Sequence, residues 1–119
     1  MLVADDTRSV ALRLSELIAE AGQFAIAGPA FDGAQAMALF AATRPDAAVL
    51  DFTMPRATGL DVLRAIREAG SDCLVIVMTN QTDPSIRERC LAAGADHFLL
   101  KSQDIGIVVE ILRDHFARY

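Results

Sequence analysis

AAVLDFTMP, Ala47 to Pro55, is the stretch on which the reading of this chain turns. Ala47–Leu50 is an uninterrupted apolar run that passes straight into Asp51, and Met54-Pro55 then breaks the chain away. Such a run predicts a strand buried on both faces, with Asp51 at its carboxyl end. In an open parallel sheet that edge is where ligands and chemistry sit. Acids are rarely buried unpaired, so Asp51 asks for partners at the same edge.

Working outward, strands and helices alternate along the whole chain. Met1–Ala4 reads as a strand ending in Asp5-Asp6. Thr7 or Asp6 then caps a helix with Val10, Leu14, Leu17, Ile18 and Ala21 at helical spacing, closed by Gly22. Phe24–Ala27 reads as a second strand punctuated by Gly28-Pro29. Asp32 caps a helix with Met37, Phe40 and Ala41 inward, stopped at Arg44-Pro45. After Asp51 and a loop with Gly59 comes a helix from about Leu60 to Ala69. Cys73–Met78 is the most hydrophobic strand, with Thr79 at its carboxyl end. Asp83-Pro84 opens a helix to about Ala93, His97–Leu100 is the fifth strand ending in Lys101, and a last helix runs from about Gln103 to Arg118.

Five such units with short connections imply an α/β fold: a doubly wound, five-stranded parallel sheet with five helices and right-handed crossovers. No composition shift marks a second domain, so residues 1–119 are expected to form one. The net charge of −5 and the lack of any basic run argue against general nucleic-acid binding. No apolar run approaches the roughly 18 residues that span a bilayer. MLVADD turns acidic too early for a signal peptide, so the expectation is a soluble cytoplasmic protein. Cys73 and Cys90 form no CxxC, and His97 and His115 stand in no ligand spacing. All four are expected in structural roles.

Parallel strands bring Asp5, Asp6, Asp51, Thr79 and Lys101 to one edge. With strand order 2-1-3-4-5, the first and third strands are neighbours at the switch point, and three carboxylates crowd together. Like charges at that distance raise one another's pKa unless a cation neutralises them. All-oxygen ligands suit a hard divalent ion such as Mg2+. Lys101 adds a fixed positive charge and Thr79 a hydroxyl. The set has the parts to make and break an aspartyl phosphate, with a donor from outside.

The pattern resembles the receiver domain of two-component response regulators, the flavodoxin/CheY-like fold. The matching residues are LVADD, VLDFTMP with Gly59 eight residues after Asp51, VIVMTN and AGADHFLLK. The resemblance implies Asp51 as phosphoacceptor, with Asp5, Asp6, Asp51 and the backbone carbonyl of Thr53 around magnesium. It further implies Thr79 as switch hydroxyl, Lys101 as phosphate-binding cation and Phe98 as the aromatic switch. The donor would be a sensor histidine kinase or a histidine phosphotransfer protein in a phosphorelay. The domain would not be an enzyme beyond catalysing its own phosphorylation and dephosphorylation.

Two positions depart from the family pattern. Ser102 stands where a proline usually follows the lysine, and Asn80 where a small residue usually follows the threonine. Thr53 and Gln81, two residues beyond Asp51 and Thr79, occupy places where the family's dephosphorylation rate is tuned. Neither is an acid here.

On the last helix, Ile105, Val108, Val109, Leu112 and Phe116 form a stripe toward the sheet, with Ile107 and Ile111 to one side. Those two either widen the core stripe or are candidates for a partner or self-association face formed with the fifth strand and the last two helices. The competing reading is an unphosphorylated adaptor of the same fold. A haloacid-dehalogenase-type phosphatase would want a second Asp where Thr53 stands.

Overall fold

Burial of strand ends, rather than of whole strands, decides where the chemistry lies. The computed structural model describes residues 1–21, 24–81 and 83–116, and for 102–105 the backbone alone. Gly22, Arg118 and the side chains of Ser102, Gln103 and Ile105 therefore lie outside the described residues. The elements run β1 (Leu2–Ala4), α1 (Arg8–Glu20), β2 (Ala27–Ala30), α2 (Gly33–Thr43), β3 (Ala47–Asp51), α3 (Gly59–Glu68), β4 (Leu74–Thr79), α4 (Pro84–Ala92), β5 (His97–Leu100) and α5 (Lys101–Phe116). All pairings are parallel and the sheet order is β2-β1-β3-β4-β5, as expected.

The two central strands β3 and β4 are buried at every residue. Their pleat sends alternate side chains into two cores. Leu50, Val75 and Val77 pack with Leu60, Leu63, Ile66, Ile86 and Cys90 beneath α2, α3 and α4. Val49, Ile76 and Met78 pack with Leu14, Ile18, Val108 and Leu112 beneath α1 and α5. Helices thus cover both faces, which is why these strands read as continuous apolar runs.

Three sequence expectations are corrected. The second strand is Ala27–Ala30, not Phe24–Ala27. It takes Pro29 in because it is an edge strand, where a missing N–H costs no ladder bond. Ala41 is exposed, and Ala36 is buried in its place. Gly33, Ala36 and Phe40 set the inward line of α2, and Ala41 lies about 100° around from Phe40. The last helix starts at Lys101 rather than Gln103. A proline at 102 would push residue 101 out of the helical region, and serine imposes no such limit.

Two local devices fix loops at the two edges of the sheet. Thr58 and Asp61 form a reciprocal capping box at the start of α3. At the opposite edge, Arg67 donates to the carbonyls of Ser71, Cys73 and Gly94 and to Asp96 Oδ2, joining the α3–β4 and α4–β5 turns.

Candidate functional site

The register brings the acids together. Ala4 pairs with Leu50, so Asp5 falls level with Asp51 on the neighbouring strand. Asp5, Asp6 and Asp51 each offer a carboxylate oxygen, and the three oxygens lie within 4.8 Å of one another. Asp5 and Asp51 are buried, whereas Asp6 faces solvent. Asp5 is held by its amide, which donates to the Ala30 carbonyl at 3.0 Å. Its Oδ1 accepts from the Thr7 amide at 2.8 Å. Thr7 occupies the N-cap of α1 but makes no side-chain cap bond, so the expected capping by Thr7 is positional only.

Lys101 arrives from the far side, one residue beyond the Thr79–Leu100 pair. Its Nζ lies 2.7 Å from Asp5 Oδ2 and 3.2 Å from Asp51 Oδ2, with the three side chains almost wholly buried. Burial alone would lower the Lys101 pKa. The hydrogen bond to Asp5 and the charges of Asp51 and Asp5 outweigh it and hold the ammonium above its ordinary value. Asp51 goes the other way. Burial first, then the Asp5 charge, raise its carboxyl to about 7 against the pull of Lys101. One ammonium between crowded acids leaves a deficit of positive charge. An all-oxygen donor set with that deficit fits a hard divalent ion.

The remaining atoms of Asp51 are also directed. Its Oδ1 accepts from the Thr53 amide at 3.2 Å. The loop after Asp51 is anchored by Met54, which is buried in the first core. Helix α3 starts so close to β3 that a Cβ at Gly59 would lie 3.0 Å from the Asp51 carbonyl carbon. Thr79 is buried at the end of β4, and its hydroxyl accepts from the Gln81 amide at 3.0 Å. Gln81 Nε2 in turn donates to Thr53 Oγ1 at 3.0 Å, so the β3–α3 and β4–α4 loops are bonded across the mouth of the site. Sequence reading singled out both positions but held no signal for their contact, which joins residues 28 apart. Asn80 is exposed beside them.

Phe98 lies on β5 opposite Val77, partly buried against the first core. Ile107 is 39% exposed on α5, whereas Ile111 packs partly buried against the second core. The two therefore do not stand equally free. His97 is half-buried on β5, away from the acids in register. Among the described residues no helix is long and apolar enough to cross a membrane.

With this geometry in hand, the likeness to known proteins is specific. The family model described as the response regulator receiver domain matches residues 1–113. Response regulator MprA of Mycobacterium ulcerans is 41% identical over 101 residues, covering 85% of this chain and 43% of that protein. MprA of Mycolicibacterium vanbaalenii is 42% identical over the same length and coverage. The chain thus spans less than half the length of these curated relatives. Among solved structures, a LuxR-family DNA-binding response regulator from Staphylococcus aureus superposes with a TM-score of 0.89 at 30% identity, covering 95% of this chain and 94% of that one. The signal receiver domain of the putative regulator NarL from Mycobacterium tuberculosis gives 0.88 at 31% identity, over 95% and 91%. The CheX–CheY–BeF3–Mg complex of Borrelia burgdorferi gives 0.86 at 28%, over 97% and 87%. The chain belongs to the response regulator receiver domains of two-component signalling.

Proposed function

We propose that Asp51 accepts a phosphoryl group from a phosphohistidine, on a sensor histidine kinase or a histidine phosphotransfer protein, and that this shifts a protein-binding surface. The observation that carries the reading is Lys101 Nζ bridging buried Asp5 and Asp51 beside Asp6. A surface carboxylate has no use for such a setting, whereas a group that must receive three more anionic oxygens does.

In the transfer, an Asp51 oxygen attacks phosphorus as the P–N bond to the imidazole breaks. The imidazole leaves with the bonding electron pair, and the acyl phosphate stays on Asp51. Asp5, Asp6 and Asp51, with the Thr53 carbonyl, would hold Mg2+, which supplies charge neutralisation for the carboxylates and the incoming oxygens. The Borrelia complex among the structural relatives contains Mg together with BeF3 and supports that choice. Lys101 keeps its proton and turns from two carboxylates toward the phosphoryl oxygens. The Thr79 hydroxyl leaves the Gln81 amide to donate to the same group, and Phe98 follows into the vacated space. Domain-like behaviour of residues 1–119, a cytoplasmic setting and self-limited chemistry belong to this reading. So does an output surface on α4, β5 and α5, where Leu91 and Ile107 are exposed.

The test is intact mass after incubation with acetyl phosphate, with and without Mg2+, for wild type and Asp51→Ala. One phosphoryl adduct is expected, dependent on the metal and absent from the variant. A wild type that stays unmodified even with a phosphorylated histidine phosphotransfer protein would point to an unphosphorylated adaptor.

A further inference from the structure

Four consecutive residues, from the last of β2 to the first of α2, reach two pieces of the site's frame. The Ala30 carbonyl accepts from the Asp5 amide at 3.0 Å. The Phe31 ring carries the Arg8 guanidinium 4.6 Å above its centroid, at the start of α1. Asp32 Oδ2 lies 3.4 Å from Arg56 Nε, and the Gly33 amide donates to the Pro55 carbonyl at 3.2 Å. The first two contacts go to the β1–α1 turn that carries Asp5 and Asp6. The second two go to the β3–α3 loop that carries Thr53.

Gly33 shows how close this approach is. A Cβ built there would lie 2.5 Å from Ala57 Cβ and 2.7 Å from the Ala57 carbonyl carbon. Its φ is not in the left-handed region, so glycine is not required for backbone freedom. At a helix start, alanine would serve helix propensity better. The missing side chain is explained by space alone. Arg56, on the other side of the contact, does sit at φ 73, a conformation that non-glycine residues adopt only when their surroundings enforce it.

We infer that the Ala30–Gly33 turn is a bracket that sets the width of the metal site, with Gly33 and Asp32 as positioning residues that never touch the ion. The inference rests on the reading of Asp5, Asp6, Asp51 and the Thr53 carbonyl as the ligand set. Width matters because Mg2+ demands oxygens at about 2.0–2.1 Å in near-ideal octahedral geometry, whereas Ca2+ accepts about 2.3–2.6 Å and irregular arrangements. A bracket pushed open therefore harms magnesium more than calcium. That asymmetry separates positioning from simple loss of stability.

The experiment is calorimetric titration of the whole chain with MgCl2 and, separately, CaCl2, for wild type, Gly33→Ala and Gly70→Ala. Gly70 lies at the opposite edge with φ 78 and open space around it, so its variant is strained but remote from the site. Gly33→Ala is expected to weaken Mg2+ binding by about tenfold or more, the usual cost of losing an outer support. Its loss for Ca2+ is expected to be smaller, so the Mg2+/Ca2+ preference narrows, and Gly70→Ala should leave both constants unchanged. Equal losses for the two ions, or no loss in a folded Gly33→Ala protein, would overturn the bracket while leaving the ligand assignment standing. A wild type that binds neither ion would remove the ligand assignment and the bracket with it.

Should Gly33→Ala fail to fold, the double variant Arg8→Ala/Asp32→Asn carries the test. Asparagine keeps the α2 cap, both contacts are at the surface, and together they are expected to cost about fivefold in Mg2+ affinity. Unchanged Mg2+ affinity in that variant would refute the bracket.

Discussion

Lys101 answers two buried carboxylates at once, at 2.7 and 3.2 Å, and its removal leaves both without a cation. Lys101→Met should destabilise the metal-free protein by about 3 kcal/mol at pH 8, because breaking a buried ion pair strands the remaining charge. Urea unfolding with and without Mg2+ checks it, and the ion should recover part of the loss. Acidity should act on the same residues. The folded protein holds the Asp51 proton up to about pH 7, the unfolded chain only to its ordinary 3.8. Between those values the folded state binds more protons, so raising the pH costs stability. The metal-free melting temperature should therefore fall from pH 5 to pH 8, and Asp51→Asn should flatten the slope. Lys101, held above its ordinary value, titrates beyond that window and leaves the sign unchanged. Gln81 offers a third measurement. Its amide bridges to Thr53 across the mouth, so Gln81→Ala should admit water and shorten the phosphoryl lifetime, followed as decay of the intact-mass adduct.

Among the elements, the turns opposite the site depend on Arg67. Its guanidinium serves three carbonyls and Asp96, whose Oδ2 also accepts from the Val75 amide at the start of β4. Arg67→Met should cost about 2–3 kcal/mol in urea unfolding, from charge-assisted bonds lost and carbonyls left unpaired. Phosphorylation of Asp51 should persist in that variant, since the hub stands at the other edge.

The elements also show where sequence was readable. Apolar runs of β3 and β4 bury both faces, so periodicity and position agreed, and their terminal residues Asp51 and Thr79 were placed by the strands themselves. The sequence misplaces β2 because Phe24 and Ile26, apolar residues just before the strand, pack on the second core from outside it. Gly28-Pro29, a break signal in most contexts, is tolerated at an edge. Angle alone puts Ile111 to one side of the inward stripe and leaves core and partner face open, and the structure packs it partly buried against the second core. A helical wheel does not know how deeply the neighbouring strand lies.

Across the whole molecule, parallel pairing converts distant sequence positions into neighbours, and this makes the convergence of the acids, Thr79 and Lys101 legible in the sequence. Contacts that depend on how two loops approach were not legible. The Gln81–Thr53 bond and the Gly33–Ala57 approach leave no periodic trace, because each joins segments whose spacing is set by packing. An Asp51→Ala chain should keep the fold and the bracket contacts, so its far-ultraviolet circular dichroism should match wild type while the mass adduct disappears.

Lys101 lies far downstream of Asp5 in the sequence, after β4 and α4. On the ribosome, Asp5, Asp6 and Asp51 emerge long before Lys101, whose ammonium bridges Asp5 and Asp51. A partial chain therefore carries the carboxylates without that counter-charge, and β5 must dock before the site acquires its balance of charge. The balance of charge at this edge is in this sense a report that the fifth strand has been made and has docked.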